Sequence, residues 1–165
     1  MIKQIISFLC LLPLVSACGV YSFTGASIPP HLKRIDIPVF QDKSNSGILS
    51  LKETITDEVT NRIITQSSLE LASGTGADCR LSASIVSYSN QPYVITQGVA
   101  SATNRISIRI QVTYQDLVKR ETIWEQSFDS WEDYSVGNRS AEEEALKNAI
   151  TKLSDDIFSK VVSNW

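Results

Sequence analysis

Ile106, Ile108, Ile110, Val112 and Tyr114 alternate without a break with Arg105, Ser107, Arg109, Gln111 and Thr113. Successive side chains of a strand point to opposite faces, whereas a helix built from the same run would scatter its apolar groups around the axis. The segment is therefore a strand with one buried and one wet face, and the rest of the chain must cover the buried side. A charged turn from Asp116 to Arg120 follows. Beyond it Trp124 and Phe128 share a side with Thr122 and Gln126, which reads as the second arm of a hairpin.

The covering elements are also legible. Leu51, Ile55, Val59 and Ile63 recur every fourth residue with charges between them, an amphipathic helix ending near Gln66. Ser140-Ala141-Glu142-Glu143 has the form of a capping box, and Leu146, Ile150, Leu153, Ile157 and Val161 continue it at helical spacing. Two more strands are expected. Ile35, Ile37 and Val39 alternate through 33–40, with Pro38 suggesting an edge position. Leu81, Ala83 and Ile85 form the other, broken at Asn90-Gln91-Pro92. Leu69–Leu71 has the character of a strand start, cut off by Ser73-Gly74-Thr75-Gly76. That glycine pair lacks the Gly-Lys-Ser/Thr of a phosphate loop and reads as a plain turn.

The order is strand, helix, strand, strand, strand, helix (β-α-β-β-β-α). A long crossover favours parallel neighbours and short turns make antiparallel ones, so the sheet is expected to be mixed and four-stranded. With one apolar stripe on each helix, the economical arrangement is an α+β two-layer sandwich with both helices on one sheet face.

The first residues have a different character. A charge at Lys3 precedes an apolar run from Ile5 to Val15, relieved by Ser7 and Pro13, and Val15-Ser16-Ala17-Cys18 closes it. About a dozen apolar residues fall short of the ~20 that span a bilayer, and the order is that of a signal peptide. The small residues before a cysteine resemble a bacterial lipobox, with Val15 where Leu is commoner. Residues 1–17 are thus expected to be removed and Cys18 to carry acyl chains. Residues 18–32, mixed in Gly, Ser, Thr and Pro, would lead away from the membrane, and 33–165 would form one domain. Cys10 leaves with the signal and Cys18 is lipidated, so Cys79 has no thiol to pair with. Stability must come from a packed core, which a chain 42% hydrophobic can supply.

Chemistry is sparse. The net charge of −3 argues against a general affinity for nucleic acid or anionic membranes. No Cys/His cluster has metal-ligand spacing, and no cofactor motif is present. The single histidine, His31, lies beside Pro29 and Pro30 with no Gly-x-Ser-x-Gly partner, so a structural role is expected and no catalytic residue is assigned. Glu142, Glu143 and Glu144 sit in the first turn of a helix, where they offset its dipole.

Arg105 and Arg109 share the polar face of the central strand, and a guanidinium pair suits phosphate. Glu125 and Asp129 on the neighbouring strand also face outward and could pair with them, a common sheet stabiliser. Both roles stand open. So do two roles for Trp131 and Tyr134, as interface aromatics or as cover for the sheet's rim.

Cys18-Gly19-Val20-Tyr21-Ser22-Phe23-Thr24-Gly25, the run from Ile28 to Phe40 that includes Ile35-Asp36-Ile37-Pro38-Val39-Phe40, and Ala77-Asp78-Cys79-Arg80-Leu81 through to Tyr88 resemble the LptE family of lipopolysaccharide-assembly lipoproteins. The resemblance implies a non-catalytic protein anchored through Cys18 on the periplasmic side of the outer membrane. It would bind and plug the LptD β-barrel and help lipopolysaccharide reach the outer leaflet. Gly19, which is not acidic, is compatible with outer-membrane delivery. Assigning lipopolysaccharide contacts to Arg105 and Arg109 rests on their shared face and on phosphate chemistry, not on a family motif. An envelope lipoprotein that activates or scaffolds a cell-wall or secretion machine is the alternative, since other periplasmic domains open with a similar strand.

Overall fold

The alternating run lies inside a strand of 14 residues at the middle of a sheet, in a computed structural model that describes residues 28–94 and 103–163. In chain order the elements are β1 (Arg34–Asp36), β2 (Gln41–Asp42), α1 (Leu51–Gln66), β3 (Glu70–Leu71), β4 (Cys79–Val94), β5 (Thr103–Asp116), β6 (Glu121–Ser135) and α2 (Arg139–Ser163). The sheet is mixed and runs β3-β1-β4-β5-β6, with β2 also alongside β4. β1 is parallel to β3 and β4, and β2 is parallel to β4. The longer strands β4, β5 and β6 are antiparallel. The signal segment, Cys18 and the lead as far as residue 27 lie outside the described residues.

The α+β class, the mixed sheet and the two helices agree with the sequence, but the sheet has six strands and not four. Pro38 is the reason for one extra strand. It has no N–H to give to a ladder, and the expected strand 33–40 is split around it into β1 and β2. The alternation fails there too: Ile35 is buried, whereas Val39 is 59% exposed and Phe40 turns inward instead. The Phe40 N–H donates to Thr56 Oγ1 of α1 at 3.0 Å. β3 is the other extra strand, at the Leu69–Leu71 strand start expected from the sequence but absent from the four-stranded order. It sits on the far side of β1, so β1 is not the edge strand that Pro38 suggested. Strands of two or three residues are too short to show a period in sequence.

β4 also runs past its expected end. The register with β5 shifts between Ile85 and Ser87, and the exposed Val86 is the extra residue of a bulge that resets the alternation. Beyond it the strand continues through Asn90-Gln91-Pro92, where the sequence suggests a break. Pro92 is tolerated because β1 and β2 pair only with the first half of β4, as far as Ile85.

One core holds the layers together. Ile106, Ile108, Ile110, Val112 and Tyr114 of β5 pack in it with Leu51, Ile55, Val59 and Ile63 of α1 and with Ala149, Ile150, Leu153, Ile157 and Val161 of α2. Full burial of a side chain of that size contributes about 1.5–3 kcal/mol, so the inward row of β5 is a principal source of stability. Tyr114 reaches across to Cys79, its hydroxyl donating to Sγ at 3.3 Å.

The start of α2 differs in detail from the expected capping box. Asn138 supplies the cap, its Oδ1 accepting from the Ala141 N–H at 3.1 Å. Glu143 is instead bonded by Arg139 one turn away, at 3.1 Å. The helix begins one residue earlier than Ser140, which places Ser140 inside its first turn.

Candidate functional site

With both helices on the apolar side, no element among the described residues covers the opposite face of the sheet, which carries hydroxyl, amide and charged side chains. Ser87, Ser89 and Gln91 of β4 lie opposite Arg109, Ser107 and Arg105 of β5. On the other side Asp129, Trp131 and Asp133 of β6 complete the same three rows. The face is built by alternation alone: each of these residues neighbours an inward one such as Ile106, Ile108 or Phe128.

Arg105 and Arg109 do share this face, but they are held differently. Arg105 Nε and Nη2 donate to the two oxygens of Asp133 at 2.6 and 2.8 Å. Its guanidinium carbon lies 3.3 Å from the ring centroid of Tyr93 and 3.8 Å from that of Trp131, a cation between two aromatic rings. The hydrogen bond from Arg105 holds the Asp133 carboxyl below its ordinary range, and Asp133 in turn raises Arg105. Arg109 makes a single bond, Nε to Asp129 Oδ1 at 2.5 Å, with both side chains more than half exposed.

The expected cross-strand pairing is thus present with one change of partner. Asp129 pairs with Arg109, whereas Asp133 takes the place proposed for Glu125. Register decides this: Glu125 stands opposite Thr113 and accepts from Gln111 Nε2 at 3.1 Å. Four residues of strand set the two Cα positions about 13 Å apart. The two aromatics part company: Tyr134 is buried, while Trp131 is on the outer face, 52% exposed.

His31 pairs with a residue that sequence reasoning did not single out. Its Nε2 lies 2.6 Å from Oδ2 of the buried Asp116 at the end of β5, tying the lead before β1 to the hairpin turn. Burial pushes the Asp116 carboxyl up, but the bonds from His31 and from the Lys119 N–H outweigh it and hold the group below its ordinary value. Asp78 makes the neighbouring tie, accepting from the Lys33 and Arg34 backbones at 3.2 and 2.9 Å and from the Arg34 side chain. Neither carboxylate carried a signal, since a partner 45 or 85 positions away has no sequence signature.

A polar network, also unforeseen, lies at the other end of the sandwich. The Tyr134 hydroxyl donates to Asn90 Oδ1 at 2.8 Å and accepts from Asn104 Nδ2 at 3.2 Å, while Asn90 Nδ2 donates to Glu142 at 2.8 Å. Tyr134, Asn104 and Glu142 border an open cavity of about 650 Å3 with Ile48, Ile106 and Leu146 as its apolar wall. Among the described residues no group of His, Cys, Asp and Glu could hold a metal ion. Cys79 is buried, which pushes its thiol up to about 11, away from the reactive thiolate. Among the described residues no helix is long and apolar enough to cross a membrane.

A family model described as LptE, lipopolysaccharide-assembly, matches residues 32–161. No curated protein matches the sequence. Among solved structures, a DUF330 protein from Xanthomonas campestris aligns with a TM-score of 0.62 at 10% identity, over 83% of this chain and 90% of its own. A hypothetical protein from Chlamydia trachomatis gives a TM-score of 0.54 at 13% identity, over 81% and 99%. A PelC dodecamer from Paraburkholderia phytofirmans gives 0.51 at 8% identity, over 84% and 94%. At these identities the likeness is one of fold.

Proposed function

Since the chain belongs to the LptE lipopolysaccharide-assembly family, we propose that it is an outer-membrane lipoprotein that binds and plugs an LptD-type β-barrel and helps lipopolysaccharide into the outer leaflet. The family match across 32–161 carries this reading. Cys18 is the proposed anchor, after removal of residues 1–17, and it holds the domain on the periplasmic side. Several acyl chains on one cysteine give durable attachment where one chain gives marginal binding. Confinement beside the barrel raises the effective concentration of the two partners without any chemistry. The role is one of assembly and not of catalysis.

The open sheet face is the surface we assign to lipopolysaccharide phosphates, through Arg109 and Arg105. An exposed ion pair is worth little in water, about 0–1 kcal/mol, so a phosphate can take Arg109 from Asp129 at small cost. Arg105 is clamped by two rings and a bidentate carboxylate, and its part is to orient the face.

Affinity purification from gently solubilised outer membranes tests the partnership. A lipopolysaccharide-transport barrel should come down in an equal amount, whereas a cell-wall synthase or secretion complex in its place would support the scaffold alternative. Loss of acyl incorporation in Cys18→Ala tests the anchor. Unchanged lipopolysaccharide binding in a folded R105A/R109A double variant would remove the two arginines from the site.

A further inference from the structure

β6 is the last strand of the sheet, and among the described residues nothing pairs with its outer edge. It is 15 residues long, about 50 Å, where strands usually run to five or six residues. Proteins ordinarily blunt such an edge with Lys, Pro or a very short strand. β6 has no Lys or Pro and is not short; the devices it keeps are acidic side chains and a register shift, opposite Tyr114 and Gln115, near one end. Gln126, near the start of β6, is exposed on the inward side, while α2 covers the rest of that side, with Phe128, Ser130 and Tyr134 buried and Lys152 paired with Glu132.

The charge along the edge limits what can add to it. β6 contains Glu121, Glu125, Asp129, Glu132 and Asp133 and no basic residue. Glu125, Asp129 and Asp133 recur at every fourth position on the outer face. Their partners Gln111, Arg109 and Arg105 all come from β5, one strand inward. A carboxylate has about four lone-pair positions, so Asp129, which takes one bond from Arg109, can accept a second cation from the open side. Two β6 edges laid together would set carboxylate against carboxylate, which is destabilising.

We propose that the outer edge of β6 is a strand-addition site for an extended segment of a partner protein that carries Lys or Arg on one face. Backbone hydrogen bonds would supply affinity, and the row Glu125, Asp129, Asp133 would choose the register, as in other cases of β-augmentation. The inference goes beyond the barrel partnership and does not depend on it.

The test uses the purified full chain in detergent, without a barrel, and a labelled peptide alternating Lys with Val or Thr. Anisotropy should show salt-sensitive binding, and amide exchange should slow along β6. Binding should fall at least tenfold when the peptide is N-methylated at alternate residues, and several-fold for an E125Q/D129N variant with the wild-type peptide. Absence of binding, equal binding of the N-methylated peptide or protection confined to other elements would overturn the proposal. So would protection of β6 that rises with protein concentration when no peptide is present, because the occupant would then be a second copy. A failed barrel purification bears only on the proposed function.

Discussion

Arg105 and Arg109 stand four positions apart on one strand, and a substitution at each should read out differently. For R109A the lost contact is a single exposed ion pair, so stability in urea should stay within about 0.5 kcal/mol of the parent. R105A removes a group packed between Tyr93 and Trp131 and leaves Asp133 without its two bonds. It should lower the melting temperature more than R109A does and shift the Trp131 emission. Equal effects would mean that the stacked arrangement contributes nothing. Cys79 gives a second residue-scale test. With the thiol buried and pushed up to about 11, a maleimide at pH 7.5 should leave it unlabelled in native protein and label it fully in urea, as mass spectrometry of the Cys79 peptide would show. The shared face of the two arginines was legible because alternation alone dictates it. Their separate environments were not, since the Asp133 pairing depends on register and the Tyr93 contact depends on a shift of β4 near Pro92.

At the scale of elements, what could be read from sequence was what had enough residues to show a period. β5 and both helices span several repeats of 2.0 or 3.6, and each was found where its apolar residues placed it. β2 and β3 have two residues each, and the two bulges in β4 disrupt the very signal that would have shown its length. The start of α2 shows the same limit, because Asn138 and Ser140 are both good caps and sequence cannot weigh them. The structure makes a clear distinction between them. N138A should cost about 1 kcal/mol, the usual loss for an N-cap, while S140A should be close to neutral. If S140A proves the costlier, the helix starts at the capping box after all. In β5, Ile110 is fully buried at the centre of the sheet. I110A should cost about 2–5 kcal/mol through lost transfer energy and the cavity left behind, measured by chemical unfolding.

Over the whole molecule, the parts that sequence could not join are joined by carboxylates. Asp116 holds His31 and the lead to the far end of β5, and Asp78 holds the backbone of β1 to the start of β4. Asp133 locks β6 to β5, and Asp42 organises the loop before α1 through Ser44 and Ser46. All four lie below their ordinary values in the folded chain: for Asp78 and Asp133 the main cause is the Arg34 or Arg105 bond, for Asp42 the Ser44 hydroxyl, and for Asp116 the bonds that overcome burial. A group whose folded value is depressed binds protons less readily when native than when unfolded. Its stabilising contribution is complete above the unfolded value, near 3.8, and is lost as the pH falls through the folded one. The urea midpoint should therefore be nearly flat in its carboxylate dependence from pH 7 to about 5 and fall steeply below about 4. Asp78→Asn removes one of these groups, so it should be less stable than the parent at pH 7, with the gap narrowing towards pH 3. A gap that stays constant over that range would mean that Asp78 acts through shape and not through its charge.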